Sequence, residues 1–167
     1  MCIRDRLDNV EFDNLLNDRE LEELEGIDLM NTPYSKINNV WDIFKLNGEA
    51  LQADFELITK GRKSQPISET NRIAGEDQIF VEEGASIEFS ILNATTGPIY
   101  IGKNAKILDG SIIRGSFALC EGAVVKMGAK IYGPTTIGPV SKVGGEISNS
   151  VIQGLSLIHI SEPTRPY

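Results

Sequence analysis

The chain has 167 residues, a hydrophobic fraction of 41%, and 24 acidic against 16 basic residues, for a formal net charge of −8. It is long enough for one or two small domains with a buried core, and its acidic balance argues against a nucleic-acid partner, because phosphate contacts need clustered Lys and Arg. No apolar run approaches the roughly 18 residues of a membrane span, the first residues lack a signal-peptide core, and the cysteines, Cys2 and Cys120, are too few for the disulfide framework of a small secreted domain. A reduced, cytoplasmic setting without a membrane partner is therefore expected.

Along the chain, residues 1–6 are expected to be a non-native tail: Met1-Cys2-Ile3-Arg4-Asp5-Arg6 resembles translated sequencing-adapter sequence. Residues 7–75 are expected to be a helical segment and linker. Its first part is acidic, with nine acids and one base (Arg19) between Asp8 and Asp28, and Leu15, Leu16, Leu21 and Leu24 give a short helix one apolar edge. Thr32-Pro33 then reads as an N-cap followed by proline at the first helical position. Apolar residues at Ile37, Val40, Trp41, Phe44, Leu51, Phe55 and Ile58 follow the spacing of one buried helical face. Asn47-Gly48 is expected to kink or split that helix. The stripe reads as core that needs a partner surface, which points to a preceding domain. Lys60, Arg62 and Lys63 either bind an anion or, as is more common, satisfy the helix C-terminus and face water.

The strongest signal begins at Ile99. Every sixth residue from Ile101 is aliphatic: Ile101, Ile107, Ile113, Leu119, Val125, Ile131, Ile137 and Val143. Two residues before each stand Ile99, Ala105, Ser111, Phe117, Ala123, Ala129, Thr135 and Ser141, mostly small, and turn pairs such as Asp109-Gly110, Glu121-Gly122 and Met127-Gly128 lie between. A helix cannot hold a period of six on one face, and a hairpin sheet would alternate at two. A turn in every hexad describes a triangular coil, with three hexads, about 18 residues, per turn and parallel strands stacked about 4.8 Å apart. Each inward aliphatic contributes roughly 1.5–3 kcal/mol when fully buried. Val81 and Ile87 extend the pattern backwards. The phase shifts by two residues at Ile101, which places an insertion around Leu92–Pro98. The expected fold is mainly β: a parallel β-helix of about four coils over residues 76–154, preceded by the α-helical segment. Residues 155–167 have no hexad phase and are expected to be a second non-native tail containing the sole histidine, His159.

Trp41-Asp42-Ile43-Phe44, Ala53-Asp54-Phe55-Glu56-Leu57, Thr59-Lys60-Gly61-Arg62, Gly97-Pro98-Ile99-Tyr100-Ile101-Gly102 and Phe117-Ala118-Leu119-Cys120-Glu121 carry a family resemblance. So do Lys126-Met127-Gly128-Ala129-Lys130-Ile131-Tyr132-Gly133, Thr136-Ile137-Gly138-Pro139 and Lys142-Val143-Gly144-Gly145-Glu146. From Trp41 to Gly154 the chain resembles the Bacteroidetes-type bifunctional N-acetylglucosamine-1-phosphate uridyltransferase/glucosamine-1-phosphate acetyltransferase family. The resemblance implies a left-handed coil, against the right-handed rule for parallel crossovers. It also implies a homotrimer assembled through the β-helix, to which the outward apolar Ile112 and Val124 would contribute, and a parent enzyme acting on a sugar phosphate and a nucleotide with Mg²⁺ and acetyl-CoA.

No Gly-rich phosphate loop occurs in this sequence, and no histidine lies within the repeat to act as the general base of acetyl transfer. The chain is thus expected to be a truncated fragment of an enzyme, with no catalytic residue, cofactor site or metal site of its own. Arg114, Lys126 and Lys142 are the candidate substrate-binding residues. Lys106, Val124 and Lys142 are expected to stack, as are Arg114 and Tyr132. A solvated face with charge-protected edges is the competing explanation of these bases. Two other functions remain open: a stand-alone hexapeptide-repeat acyltransferase, which a histidine within a longer repeat would favour, and a non-catalytic β-helix scaffold. A zinc enzyme of the γ-carbonic-anhydrase kind needs three histidine ligands, and the single His159 argues against it.

Overall fold

The computed structural model describes residues 35–157. The acidic segment, Thr32-Pro33, residues 1–6 and His159 lie outside the described residues. Those described form one α-helix, α1 (Asp42–Thr59), followed by fourteen short strands numbered along the chain, with a 3-10 turn at Glu76–Gln78 between the first two.

The strands build three parallel sheets. Sheet A holds β1 (Arg72–Ala74), β4 (Ile91–Asn93), β7 (Ile112–Arg114), β10 (Lys130–Tyr132) and β13 (Glu146–Ser148). Sheet B holds β2 (Ile79–Val81), β5 (Ile99–Ile101), β8 (Phe117–Leu119), β11 (Thr135–Ile137) and β14 (Val151–Ile152). Sheet C holds β3 (Ser86–Ile87), β6 (Lys106–Ile107), β9 (Val124–Val125) and β12 (Lys142–Val143). Successive strands visit the sheets in turn, so the chain winds a parallel β-solenoid of about four coils, as the repeat predicts.

All eight aliphatics from Ile101 to Val143 are buried, and so are all eight residues two positions before them. The core is therefore a stack of inward columns, such as Ile107, Val125 and Val143 in sheet C and Leu92, Ile113 and Ile131 in sheet A. Thr135 continues the Ile79–Ile99–Phe117 column of sheet B, fully buried, and its Oγ1 has no hydrogen-bond partner.

In the middle coils, partners lie 18 residues apart, as in Ile112↔Lys130, Ile99↔Phe117 and Lys106↔Val124. The first full coil is longer: Ile79 pairs with Ile99 and Ile91 with Ile112. The extra residues lie in the turn between β4 and β5, where the sequence places its phase shift. The last coil contracts, with Lys130↔Glu146 and Thr136↔Val151. Only Gly144 and Gly145 separate β12 from β13, which is why the six-residue spacing fades after Val143 although the solenoid continues.

The corner between sheets B and C requires a left-handed residue in every coil. Gly84, Asn104, Gly122, Val140 and Leu155 all have positive φ there. The amides of the last four donate to the coil before, to Glu83, Lys103, Glu121 and Pro139 respectively. Gly122 and Asn104 accept this conformation at little cost, whereas a β-branched Val140 at φ 57° is strained.

Three sequence-based boundaries move. The helix begins at Asp42, not at Thr32-Pro33: residues 35–38 are not helical, and Asp42 Oδ2 reaches back to accept the Asn38 and Asn39 amides. Asn47-Gly48 does not split α1, which runs unbroken to Thr59. The solenoid begins before residue 76, since β1 at Arg72–Ala74 already pairs with β4. At the far end, Leu155 and Ser156 hydrogen-bond the coil before them, and Leu157 bridges to Lys142.

Candidate functional site

The three basic residues singled out by the sequence do not converge. Arg114 is exposed on sheet A, Lys142 is exposed on sheet C, and Lys126 sits at the corner that leads from β9 to β10. The predicted Lys106–Val124–Lys142 stack forms in register on sheet C. Arg114 and Tyr132 occupy corresponding ends of the neighbouring strands β7 and β10 and line the same two clefts. Lys126 is half-buried, and its side chain lies across Gly144: a Cβ on that glycine would come within 3.1 Å of Lys126 Cβ.

Sheet A gives Arg114 its chemical surroundings. Ile91 and Ile112 are adjacent and partly exposed, Lys130 stands beside Ile112, and Asn93 pairs with Arg114. Together with Tyr132 they line a shallow cleft of about 330 Å³. Round the corner Arg114 and Tyr132 line a second cleft of about 340 Å³ with Thr96, Ser116 and Pro134. The Tyr132 hydroxyl donates to Glu146 Oε1 at 2.6 Å, which raises its pKa. Among the described residues Arg114 has no carboxylate partner. It is a fixed charge in a half-apolar surface, able to take an anion or to face another protein surface.

Sheet B is covered. Its outward column runs Phe80, Tyr100, Ala118, Thr136 and Val151, and α1 packs against β11 and β14. Asn47, only 9% exposed, accepts a 2.8 Å hydrogen bond from Thr136 Oγ1 through Oδ1, while its Nδ2 has no partner. Gly48 allows this approach, since a Cβ there would lie 3.1 Å from the Pro134 ring. Past the helix C-terminus, Arg62 donates to the Ile58 carbonyl and pairs with Glu82 at 2.6 Å, over the face of Phe80. Glu82 also accepts from the Tyr100 hydroxyl, and Phe80 and Tyr100 stack. The hydrogen bond from Arg62 holds Glu82 below the usual carboxylate range. Burial, followed by the bond to Glu82, pushes Tyr100 up to about 12.

Arg62 thus satisfies the helix end, as the commoner explanation of that basic cluster has it, and also clasps the first coil. The sequence reading missed the clasp because Phe80 and Tyr100 are twenty residues apart, outside the eighteen-residue phase. Nothing in the sequence marks Asn47 as the partner of Thr136. Among the described residues no group of His, Cys, Asp and Glu has the clustering needed to hold a metal ion, and no helix is long and apolar enough to cross a membrane.

The comparisons bear on the part of the chain that leads into the solenoid. A family model for sugar nucleotidyl transferases matches residues 2–63, less than half of the chain. The match includes residues 2–6, expected from the sequence to be a non-native tail, runs through α1 and stops just beyond it, before β1. No curated protein matches the chain.

Proposed function

We propose that this chain is the helix-and-solenoid part of a sugar-1-phosphate nucleotidyltransferase/acetyltransferase of nucleotide-sugar (UDP-N-acetylglucosamine-type) biosynthesis, and that it holds and assembles without catalysing. One observation carries this reading. The last element of the segment matching the sugar nucleotidyl transferase model, α1, is seated on sheet B of the solenoid through Asn47 and Thr136. The last helix of the matched stretch thus packs on a parallel β-solenoid, which we read as a left-handed β-helix of the hexapeptide kind. The solenoid serves as a cytoplasmic trimerisation module, with the Ile91–Ile112–Tyr132 surface of sheet A as the contact. Arg114 would supply charge to a sugar phosphate held at that contact, while Lys126, at the corner leading into sheet A, and Lys142, on sheet C, stand apart from it.

Nucleotidyl transfer needs a phosphate cradle and Mg²⁺ to neutralise the departing pyrophosphate. Acetyl transfer from acetyl-CoA needs a base at the amine. The residues named here offer binding only, and binding alone does not accelerate chemistry. The purified chain, given UTP, Mg²⁺ and N-acetylglucosamine 1-phosphate, or acetyl-CoA and glucosamine 1-phosphate, is expected to form neither product. Analytical ultracentrifugation is expected to show a trimer that Ile112→Asp dissociates. Turnover that disappears on Arg114→Ala or Lys142→Ala would overturn the non-catalytic reading, and a monomer at high concentration would overturn the assembly role. A stand-alone acyltransferase is less well supported, because the only histidine of the sequence, His159, is outside the repeat.

A further inference from the structure

The three sheets do not begin alike. Sheet A starts with β1, and on sheet B residues 64 and 65 lie along β2: the Val81 amide donates to Ser64 Oγ and the Gln65 amide to the Val81 carbonyl. Among the described residues sheet C has no strand above β3. Residues 66–71 alone carry the chain from there to β1, where residues 82–90 make the same passage one coil later. This short cut leaves a cleft of about 310 Å³ over β3, walled by Pro66, Ile67, Val81, Ala85 and Ile87, with Glu88 at its end. Register says which main-chain groups face it. The Ser86 amide donates to the Ala105 carbonyl, so the pairing with β6 uses Ser86 and Glu88, and both main-chain groups of Ile87 point away from β6. The Ile87 carbonyl accepts Asn71 Nδ2 at 2.7 Å, but the Ile87 amide has no acceptor among the described residues. The Ala85 carbonyl holds the place that the Ala105 carbonyl holds one coil below, and it too has no partner there. A donor and an acceptor two residues apart on one strand edge match one residue of a parallel neighbour.

We propose that the gap over β3 binds an extended peptide as an added parallel strand, with the residue pattern small, any, aliphatic, basic. The second residue gives its N–H to the Ala85 carbonyl and accepts from the Ile87 amide, as Ser86 does with Ala105 and Ile107 one coil lower. Its side chain points outward above Ser86, and its neighbours point inward above Ala85 and Ile87. Ile67 and Val81 make that inner wall apolar, so a small residue and an aliphatic one suit it. Beyond them the Asn71 side chain, already on the Ile87 carbonyl, ends the pairing. Glu88 sets the last position. Hydrogen bonds from the Thr70 and Ser68 hydroxyls hold its carboxyl below the usual range, and it has no cationic partner among the described residues, so a Lys or Arg is favoured. The solenoid uses the same pattern in its own sheet C strand β9, Ala123-Val124-Val125-Lys126, where the Val124 amide donates to Ser141 of the coil below. The site lies at the first coil, away from the sheet A surface assigned to assembly. It stands whether or not the proposed function does.

The test titrates the full chain, labelled with nitrogen-15, with the peptide acetyl-Ala-Val-Val-Lys-amide. The Ile87 amide proton is expected to move downfield saturably, and its exchange with deuterated water to slow in parallel. Methylating the amide nitrogen of the peptide's first valine removes the donor to Ala85 and is expected to weaken binding about tenfold, the loss of one good hydrogen bond. Glu88→Gln still accepts from the two hydroxyls but lacks the charge, and is expected to weaken binding about threefold at low salt. Its thermal melt checks that the fold is retained. The proposal is overturned if the Ile87 amide does not respond, if the methylated peptide binds as tightly as the parent peptide, or if Glu88→Gln binds as well as the parent chain. An Ile87 amide already protected in the free chain, with protection lost on dilution, would give the edge to a second copy and overturn it equally.

Discussion

The solenoid core and helix α1 both carry regular apolar patterns, yet they differ in how the patterns are used. In the solenoid every sixth residue from Ile101 to Val143 is buried, because each coil supplies the surface on which the next one packs. On α1 the same reasoning from spacing predicts burial at seven positions, and of those only Leu51 is buried, while Phe44 and Ile58 stay substantially exposed and Ile37, Val40 and Trp41 precede the helix. A repeat contains its own partner. A helical stripe states only that a partner is wanted, and here sheet B meets one edge of that stripe through a polar residue, Asn47, and a glycine.

That contrast predicts unequal responses to the same insult. Ile131→Asp places an unpaired carboxylate in the middle of the stack and is expected to cost more than about 4 kcal/mol, enough to unfold the chain. Leu51→Asp lies under the helix edge, where the carboxylate can turn to water, and is expected to cost on the order of 2 kcal/mol. Urea unfolding of the two variants checks the order, and equal losses would erase the distinction. Within the core, Thr135 is the exception to an apolar column. Thr135→Val removes an orphaned hydroxyl at nearly constant volume and is expected to stabilise by about 1–2 kcal/mol, read from the same unfolding curves.

The clasp at the helix end gives the comparison a pH dependence. Tyr100 titrates higher when folded than when unfolded, so its contribution is complete below about 10, the ordinary tyrosine value, and is lost as pH rises towards about 12. Tyr100→Phe is expected to flatten this alkaline fall in stability, measured as melting temperature between those limits. The smallest effect belongs to the corner ladder. Val140→Gly relieves a strained left-handed residue, partly offset by the entropy of glycine, and is expected to raise stability by about 0.5–1 kcal/mol. A loss of that size would show that the valine side chain makes a contact worth more than the strain.

What the sequence made legible follows from the same difference. The coil, its inward residues and its insertion near Leu92–Pro98 were readable because repetition exposes departures from phase. The contraction at Gly144-Gly145 was visible only as a fading pattern, because losing residues from a turn removes the period without removing the coil. The start of α1 was misread at Thr32-Pro33: the side chain of Asp42, which reaches back to Asn38 and Asn39, has a weaker signature than Thr-Pro. Arg114 and Tyr132 were paired correctly by counting. Lys142 could not be excluded from their surface, since counting by eighteen gives the column but not which sheets face one another. Asn47 was invisible, for a polar residue in an apolar stripe reads as an interruption until its partner across the fold is known.

The central claim is that the helix ending the nucleotidyltransferase-like segment and the solenoid form a single body. A double-mutant cycle on Asn47→Ala and Thr136→Val, measured by urea unfolding, tests it most directly. The account predicts a coupling energy of about 0.5–1.5 kcal/mol, that of a hydrogen bond in a partly buried contact. Strictly additive effects, with a coupling near zero, would mean that the two side chains do not meet and that α1 is not seated on sheet B.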